Sequence, residues 1–366
     1  MPTRSTAVVA TAEDKTDSRS MPQLDSLRAV AVGCVMLLHF PAGEAFGRYL
    51  PLDLGVELFF VISGFLITGI VLKGAKTINF IENFYLRRAL RLFPLYYIVV
   101  VMLTTYSHQM REAFAYYALY GVNIWVVKNQ TWGIATHFWS LSVEEQFYLI
   151  WPFAVLWTPR RVLKAICIAL VGFGFLFRLV AVLITQNLFT PTLLPGCIDA
   201  LACGALLTLW GPQRVNTGAM IAAAASAAAV VFSWRYAGVQ FNAIAVDSLA
   251  LPLFYVVVGG AARGFSGASG WFLSLAPLRY IGRISYGLYV IHYFVPTVLK
   301  SYAERLMGLY PSGFMHRAAQ FAIIAAFATI SLALAALSWH FLENPINRNR
   351  DAIIGYLRKT ARRVSA

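Results

Sequence analysis

Arg28 and His39 sit eleven positions apart in the apolar run LDSLRAVAVGCVMLLHF. At about 1.5 Å per residue they lie roughly 16 Å apart along a helix, near three full turns, so they share one face. A lone histidine on such a run is often a core residue, but an imidazole can also take a proton from a hydroxyl. For that it needs a partner, ordinarily a carboxylate, that fixes its tautomer and stabilises the imidazolium. Candidate carboxylates are Glu57 at the head of GVELFFVISGFLIT, Glu144 and Glu145 in HFWSLSVEEQFYLIWP, and Asp199. If the run holding Glu57 packs antiparallel to the first, Glu57 comes level with His39. Glu145 is the first expected partner of His39 and Glu57 the second. Glu144 and Asp247 could instead be buried carboxylates that only lock helices together. His137 lies at a similar depth, His292 reads as structural or channel-lining, and His108, His316 and His340 have no evident chemical role.

A second cluster is basic. NFYLRRALRLFPLYY sets Arg87, Arg88 and Arg91 among aromatic residues. Guanidinium forks match phosphate oxygens and stack on rings, so this segment could hold a phosphorylated donor. It could equally be a topology signal at a membrane face. The four cysteines fall in apolar stretches without CxxC or CxxxxH spacing, which points to small core residues and to neither disulfides nor a metal site.

The elements that position these residues must be membrane helices. Of 366 residues 59% are hydrophobic and 13% charged, with a mean hydropathy of +0.65; a soluble domain carries about 25% charge. Backbone polar groups in lipid must pair internally, and long continuous apolar runs choose helices over barrels. Ten spans are expected near 27–43, 54–72, 92–108, 139–157, 162–185, 193–210, 217–234, 243–262, 284–303 and 318–342. The aromatic stretch 113–127 is expected to be re-entrant or interfacial. With ten spans both termini share a side, and most of the 30 Lys and Arg residues fall there. Arg48, Arg111, Lys128, Arg235, Lys300, Arg305 and Arg317 are left on the other face, and Arg178 within a span. That bias marks the terminal side as cytoplasmic. The net charge of +14 therefore reflects topology rather than nucleic-acid binding. Residues 1–22 read as a disordered cytoplasmic tail, 23–345 as one transmembrane domain and 346–366 as a basic cytoplasmic tail. Gly55, Gly64, Gly196 and Gly204 suit close helix approach.

Six segments in order, LDSLRAVAVGCVMLLHF, GVELFFVISGFLIT, FYLRRALRLFPLYY, FWSLSVEEQFYLIWP, ISYGLYVIHY and FLENPINR, resemble the acyltransferase 3 family of bacterial membrane O-acyltransferases. The likeness covers about residues 22–350. It implies a polytopic all-α bundle in the inner membrane. It also implies transfer of an acyl group, by family habit acetyl, from acyl-CoA (acetyl-CoA) to a hydroxyl of lipopolysaccharide, exopolysaccharide or another glycoside. By position the family's Arg–ten residues–His element falls on Arg28 and His39, with His39 catalytic. Its Arg-x-x-Arg element falls on Arg88 and Arg91 at the acyl-CoA side, and its acidic pair on Glu144 and Glu145. Two positions depart from the pattern: Glu57 stands where Asp is usual, and GCI precedes Asp199 where an Arg is common. The second departure removes the expected Arg–Asp partnership and weakens Asp199 as a site residue. A stand-alone membrane domain without an SGNH-type module is expected.

Together these readings predict a donor held from the cytoplasm by Arg28, Arg87, Arg88 and Arg91, with His39 as base and Glu145, Glu57 or Glu144 assisting. The rival class is a transporter or flippase using the same polar residues as a proton relay; the lack of an internal repeat stands against it.

Overall fold

In the computed structural model, residues 21–41, 47, 49–211, 216–310 and 312–364 are described. The N-terminal segment to residue 20, expected as a tail, and Arg48, counted on the outer face, lie outside them. The described residues are helical throughout, with no strand among them. Helix α1 covers Pro22–His39, α2 Leu54–Gly74 and α3 Phe80–Tyr106. Three short helices, α4 (His108–Glu112), α5 (Phe114–Ala118) and α6 (Val122–Asn129), lead into α7 (Phe138–Trp157). Then come α8 (Arg160–Thr185), α9 (Leu194–Trp210), α10 (Thr217–Tyr236) and α11 (Val239–Arg263). The shorter α12 (Gly267–Leu273), α13 (Ala276–Arg283), α14 (Ser285–Ile291), α15 (Phe294–Val298) and α16 (Lys300–Leu309) precede α17 (Gly313–Ser338). A π-turn at Trp339–Glu343 joins α17 to α18 (Asn344–Val364).

Among the described residues six helices are long and apolar enough to cross a membrane by length and composition, which makes this a multi-pass membrane protein. The other expected spans fall short for identifiable reasons. α1 and α7 are long enough, but the polar residues singled out above dilute their hydropathy. α9 has 17 residues. The span expected at 284–303 is interrupted, because Pro296 has no N–H to donate to the His292 carbonyl; α14 accordingly stops at Ile291 and α15 starts at Phe294. The stretch 113–127 is split at Tyr120, whose φ of 51° is left-handed. The eight residues of α6 extend only about 12 Å, too short to span. The basic segment 346–366, expected as a tail, is helical to Val364 and fastened to the start of α3 by Arg358–Glu82 (2.9 Å) and Arg87–Asp351 (3.0 Å).

Helix α2 is the centre: 78% of its apolar window is buried, against 22% for α10. α2 packs on α1, α7, α9 and α11. The crossing with α9 is tight in both directions. A Cβ on Gly64 would overlap the Leu201 carbonyl, and one on Gly204 would overlap the Val61 carbonyl. Against α1, a Cβ on Gly55 would stand 2.6 Å from the Ala31 carbonyl oxygen. These contacts let backbones touch where no hydrophobic force drives helices together in lipid. Outer helices instead expose apolar side chains, such as Phe173, Leu176, Leu183 and Ile184 on α8.

Candidate active site

His39 ends α1 beside the break between α14 and α15, and three histidines meet there. Ring centroids are 5.1 Å apart for His39–His292, 5.1 Å for His137–His292 and 6.4 Å for His39–His137. Tyr293 stacks on His137 at 4.9 Å and meets His39 edge-on at 5.1 Å. Just ahead of His137, Ala135 is fully buried with φ of 54°, a left-handed backbone that an L-alanine adopts only when its surroundings impose it.

The hydrogen bonds assign each tautomer. His292 Nδ1 lies 2.7 Å from the Tyr289 carbonyl oxygen and 3.2 Å from that of Leu288. Carbonyls only accept, so His292 Nδ1 carries the proton and its Nε2 is a lone-pair acceptor. That Nε2 lies 3.1 Å from His39 Nδ1, which is also 2.9 Å from the Val35 carbonyl oxygen. His39 therefore donates Nδ1–H to two acceptors and keeps its lone pair on Nε2, the tautomer of a general base. The imidazolium formed on protonation would keep both acceptors. His292 and a helix carbonyl thus fill the orienting role expected of a carboxylate.

Two neighbouring cavities share Val56 and Tyr289 in their walls, and the larger of the two reaches the histidines. The larger, about 810 Å³, contains His39, His137, Asp53, Glu57 and Asp247. The smaller, about 240 Å³, contains Arg28, Arg88, Arg91, Ser63 and Glu144. Eleven residues of α1 join the Arg28 of one to the His39 of the other, as the sequence spacing requires. At the mouth of α2, burial pushes the Asp53 carboxyl up to about 6, although its Oδ1 accepts the Leu54 N–H at 3.1 Å.

Several expected site residues lie elsewhere. Glu145 accepts from Arg88 Nε at 3.1 Å, eight residues and so about 12 Å along α7 from His137; it is not the hydrogen-bonded partner of His39. Glu144 accepts from Ser63 at 2.6 Å in the smaller cavity, also away from His39. Glu57 lines the His39 cavity, but neither ring nitrogen of His39 is hydrogen-bonded to it among the described residues. Arg87 lines neither cavity and pairs with Asp351 at the surface. Arg88 stacks on the Tyr148 ring, 3.1 Å from its centroid.

The SLSVEEQFY segment turns out to be a row of fasteners. Ser140 reaches the Tyr289 hydroxyl at 2.5 Å, Ser142 accepts the Val122 N–H at 3.2 Å, and Gln146 donates to the Tyr120 carbonyl at 2.9 Å. The partner of Asp199, missing from its own helix, comes from α8. Arg178 donates to both carboxylate oxygens, at 3.1 and 2.6 Å, and to the Ile244 carbonyl at 3.0 Å, with both charged groups fully buried. This correction makes Asp199 structural, because its oxygens are already shared with Arg178 and Ser248.

His292, which reads from the sequence as structural or channel-lining, instead stands 3.1 Å from His39 Nδ1. The signal was present: Pro296 four residues downstream marks a helix break beside the histidine. Among the described residues no group of His, Cys, Asp and Glu is arranged to hold a metal ion.

Comparison with known proteins adds the family. Residues 21–340 match the acyltransferase domain of the acyltransferase 3 family. A peptidoglycan O-acetyltransferase, OatA, of Listeria monocytogenes is 29% identical over 90% of this chain and 56% of its own length. An O-acetyltransferase OatA of Staphylococcus aureus (strain NCTC 8325 / PS 47) is 26% identical over 93% of this chain and 59% of its own. The chain thus spans a little over half the length of these relatives. No solved structure matches it significantly.

Proposed function

The chain belongs to the acyltransferase 3 family, and from that membership we propose that it O-acetylates a hydroxyl of a cell-envelope glycan, with His39 as general base. The name of the Listeria relative points to peptidoglycan rather than to lipopolysaccharide or exopolysaccharide as the first acceptor to test. The donor is acyl-CoA, most simply acetyl-CoA. It approaches from the cytoplasm, its phosphates meeting Arg28, Arg88 and Arg91 in the smaller cavity, and its thioester passing Val56 and Tyr289. Ten spans with both termini cytoplasmic, in the cytoplasmic membrane, put this basic end inside.

The acceptor hydroxyl gives its proton to His39 Nε2 while its oxygen forms a bond to the thioester carbonyl carbon. The tetrahedral adduct collapses, the C–S bond breaks, and the leaving thiolate takes the proton back from His39. The observation that carries this reading is the commitment of His39 Nδ1–H to the Val35 carbonyl and His292 Nε2, which leaves Nε2 as a base. Proton transfer by a positioned group contributes about 10²- to 10⁴-fold, with the rest from holding both substrates in reach. The transporter alternative has no supporting observation in the family or the site.

The test is incorporation of label from radiolabelled acetyl-CoA into envelope glycans by membranes carrying wild type or His39→Ala. Label with wild type and a loss of at least about 100-fold with His39→Ala, at equal protein level, is the expected result. Equal label in both would remove His39 from the reaction.

A further inference from the structure

We propose that a third cavity beside His39 holds the acyl chain of the donor, so that the enzyme takes butyryl and hexanoyl groups as readily as acetyl. This rests on acyl transfer at His39 and names the acyl class which that transfer leaves open.

The third cavity measures about 400 Å³ and has His39 and Tyr293 in its wall. Both residues also line the larger cavity, so His39 borders two separate spaces. The tetrahedral adduct formed at His39 carries three groups besides its oxygen anion: the sulfur arm, the acceptor oxygen and the acyl chain. On the route above, the sulfur arm runs back past Val56 and Tyr289 to the smaller cavity. The acceptor comes from the opposite end, where the larger cavity lies. The third cavity is the space at His39 that neither of them uses, and the acyl chain is the group left to fill it.

The chemistry of its walls suits an aliphatic chain. Pro41, Pro296, Ala303, Met307 and Phe327 make most of the lining. Ala303 and Met307 stand one turn apart on α16, on the side that packs towards α17, and the small side chain at 303 leaves room there. Phe327, 4% exposed, is held by an edge-on contact with Phe40 at 5.8 Å. Away from the two shared rings, the polar lining groups are already engaged. Thr297 Oγ1 donates to the Tyr293 carbonyl at 2.9 Å, and Lys300 and Glu304 pair at 3.9 Å. A sugar would find few partners in such a space. The distal carboxylate of a succinyl group would meet a lysine already paired with a carboxylate of its own. Each methylene moved from water onto apolar walls is worth about fourfold in affinity, a gain that acetyl, ending in a single methyl, does not use.

A competition between tritiated acetyl-CoA and radiocarbon-labelled hexanoyl-CoA, at equal concentration in cell envelopes carrying the full chain, tests this. Ester-linked label in the envelope glycan gives the ratio of kcat/KM for the two donors directly, and envelopes carrying His39→Ala give the background. Both donors compete for the same active molecules, so loss of folded protein does not move the ratio. Hexanoyl label no lower than acetyl label is expected. In Ala303→Phe the larger side chain occupies the cavity, and the hexanoyl-to-acetyl ratio should fall at least about tenfold. Ala303→Val should shift it the same way by less, and serves where the bulkier variant does not assemble. Hexanoyl label below acetyl label in wild type, or a ratio that neither variant lowers, would overturn the acyl-chain pocket and leave acyl transfer standing. Absence of both labels above background would instead overturn the transfer on which the pocket rests.

Discussion

Replacing His292 separates two things its ring does: it fills space beside His39, and its Nε2 accepts the His39 Nδ1 proton. His292→Phe keeps the first and loses the second, so kcat should fall about 10- to 100-fold with the donor KM unchanged. His292→Gln restores an acceptor oxygen and should recover part of the loss. Equal inactivity of both folded variants would make His292 merely structural. A second pair tests the donor side. Arg91 lines the smaller cavity, and losing one charge-assisted contact at about 1.5–3 kcal/mol should raise the acetyl-CoA KM about 10- to 100-fold in Arg91→Ala. Arg87→Ala only breaks a surface pair with Asp351 and should leave that KM unchanged. At this scale the sequence revealed residue types and depth, so the placing of Arg28 and His39 at the two ends of α1, one in each cavity, was legible from spacing. Which carboxylate faced which base was not, because depth along a helix says nothing of rotation about it. His39 found its partner in a histidine more than two hundred positions away.

Helix contacts account for why these side chains stand where they do. The α2–α9 crossing has no room for side chains at Gly64 and Gly204, and Gly204→Leu should prevent assembly of the bundle, read as loss of the monodisperse peak in detergent. The fully buried Arg178–Asp199 pair ties α8 to α9, and Ser248 and the Ile244 carbonyl add α11. Arg178→Leu leaves a buried carboxylate unpaired and should destabilise by about 3–5 kcal/mol, whereas Arg178→Leu with Asp199→Leu should regain much of the loss; thermal melts in detergent distinguish them. The close approach at these glycines was readable from small residues in apolar runs. The Arg178–Asp199 pair was not, since the sequence near Asp199 holds no arginine and the partner stands on the preceding helix. Breaks were half legible: Pro296 marks one, but the turn at Tyr120 depends on a left-handed tyrosine that nothing local requires.

Across the whole molecule, α1 carries Arg28 in one cavity and His39 in the other, with Val56 and Tyr289 between. The all-helical membrane class followed from composition. Span counting was less secure, because helices that build the site, α1 and α7, are the ones whose polar residues blur the hydropathy signal. If His39 is the base, donor and acceptor enter from opposite ends and meet at its ring. Its most direct test uses the purified chain in proteoliposomes of known orientation, with radiolabelled acetyl-CoA on one side and a glycan acceptor on the other. Labelled glycan should form only when acetyl-CoA faces the Arg28 end and the glycan faces the His39 end, and His39→Ala should abolish it. Equal labelling from either side, or transfer that survives His39→Ala, would contradict the account.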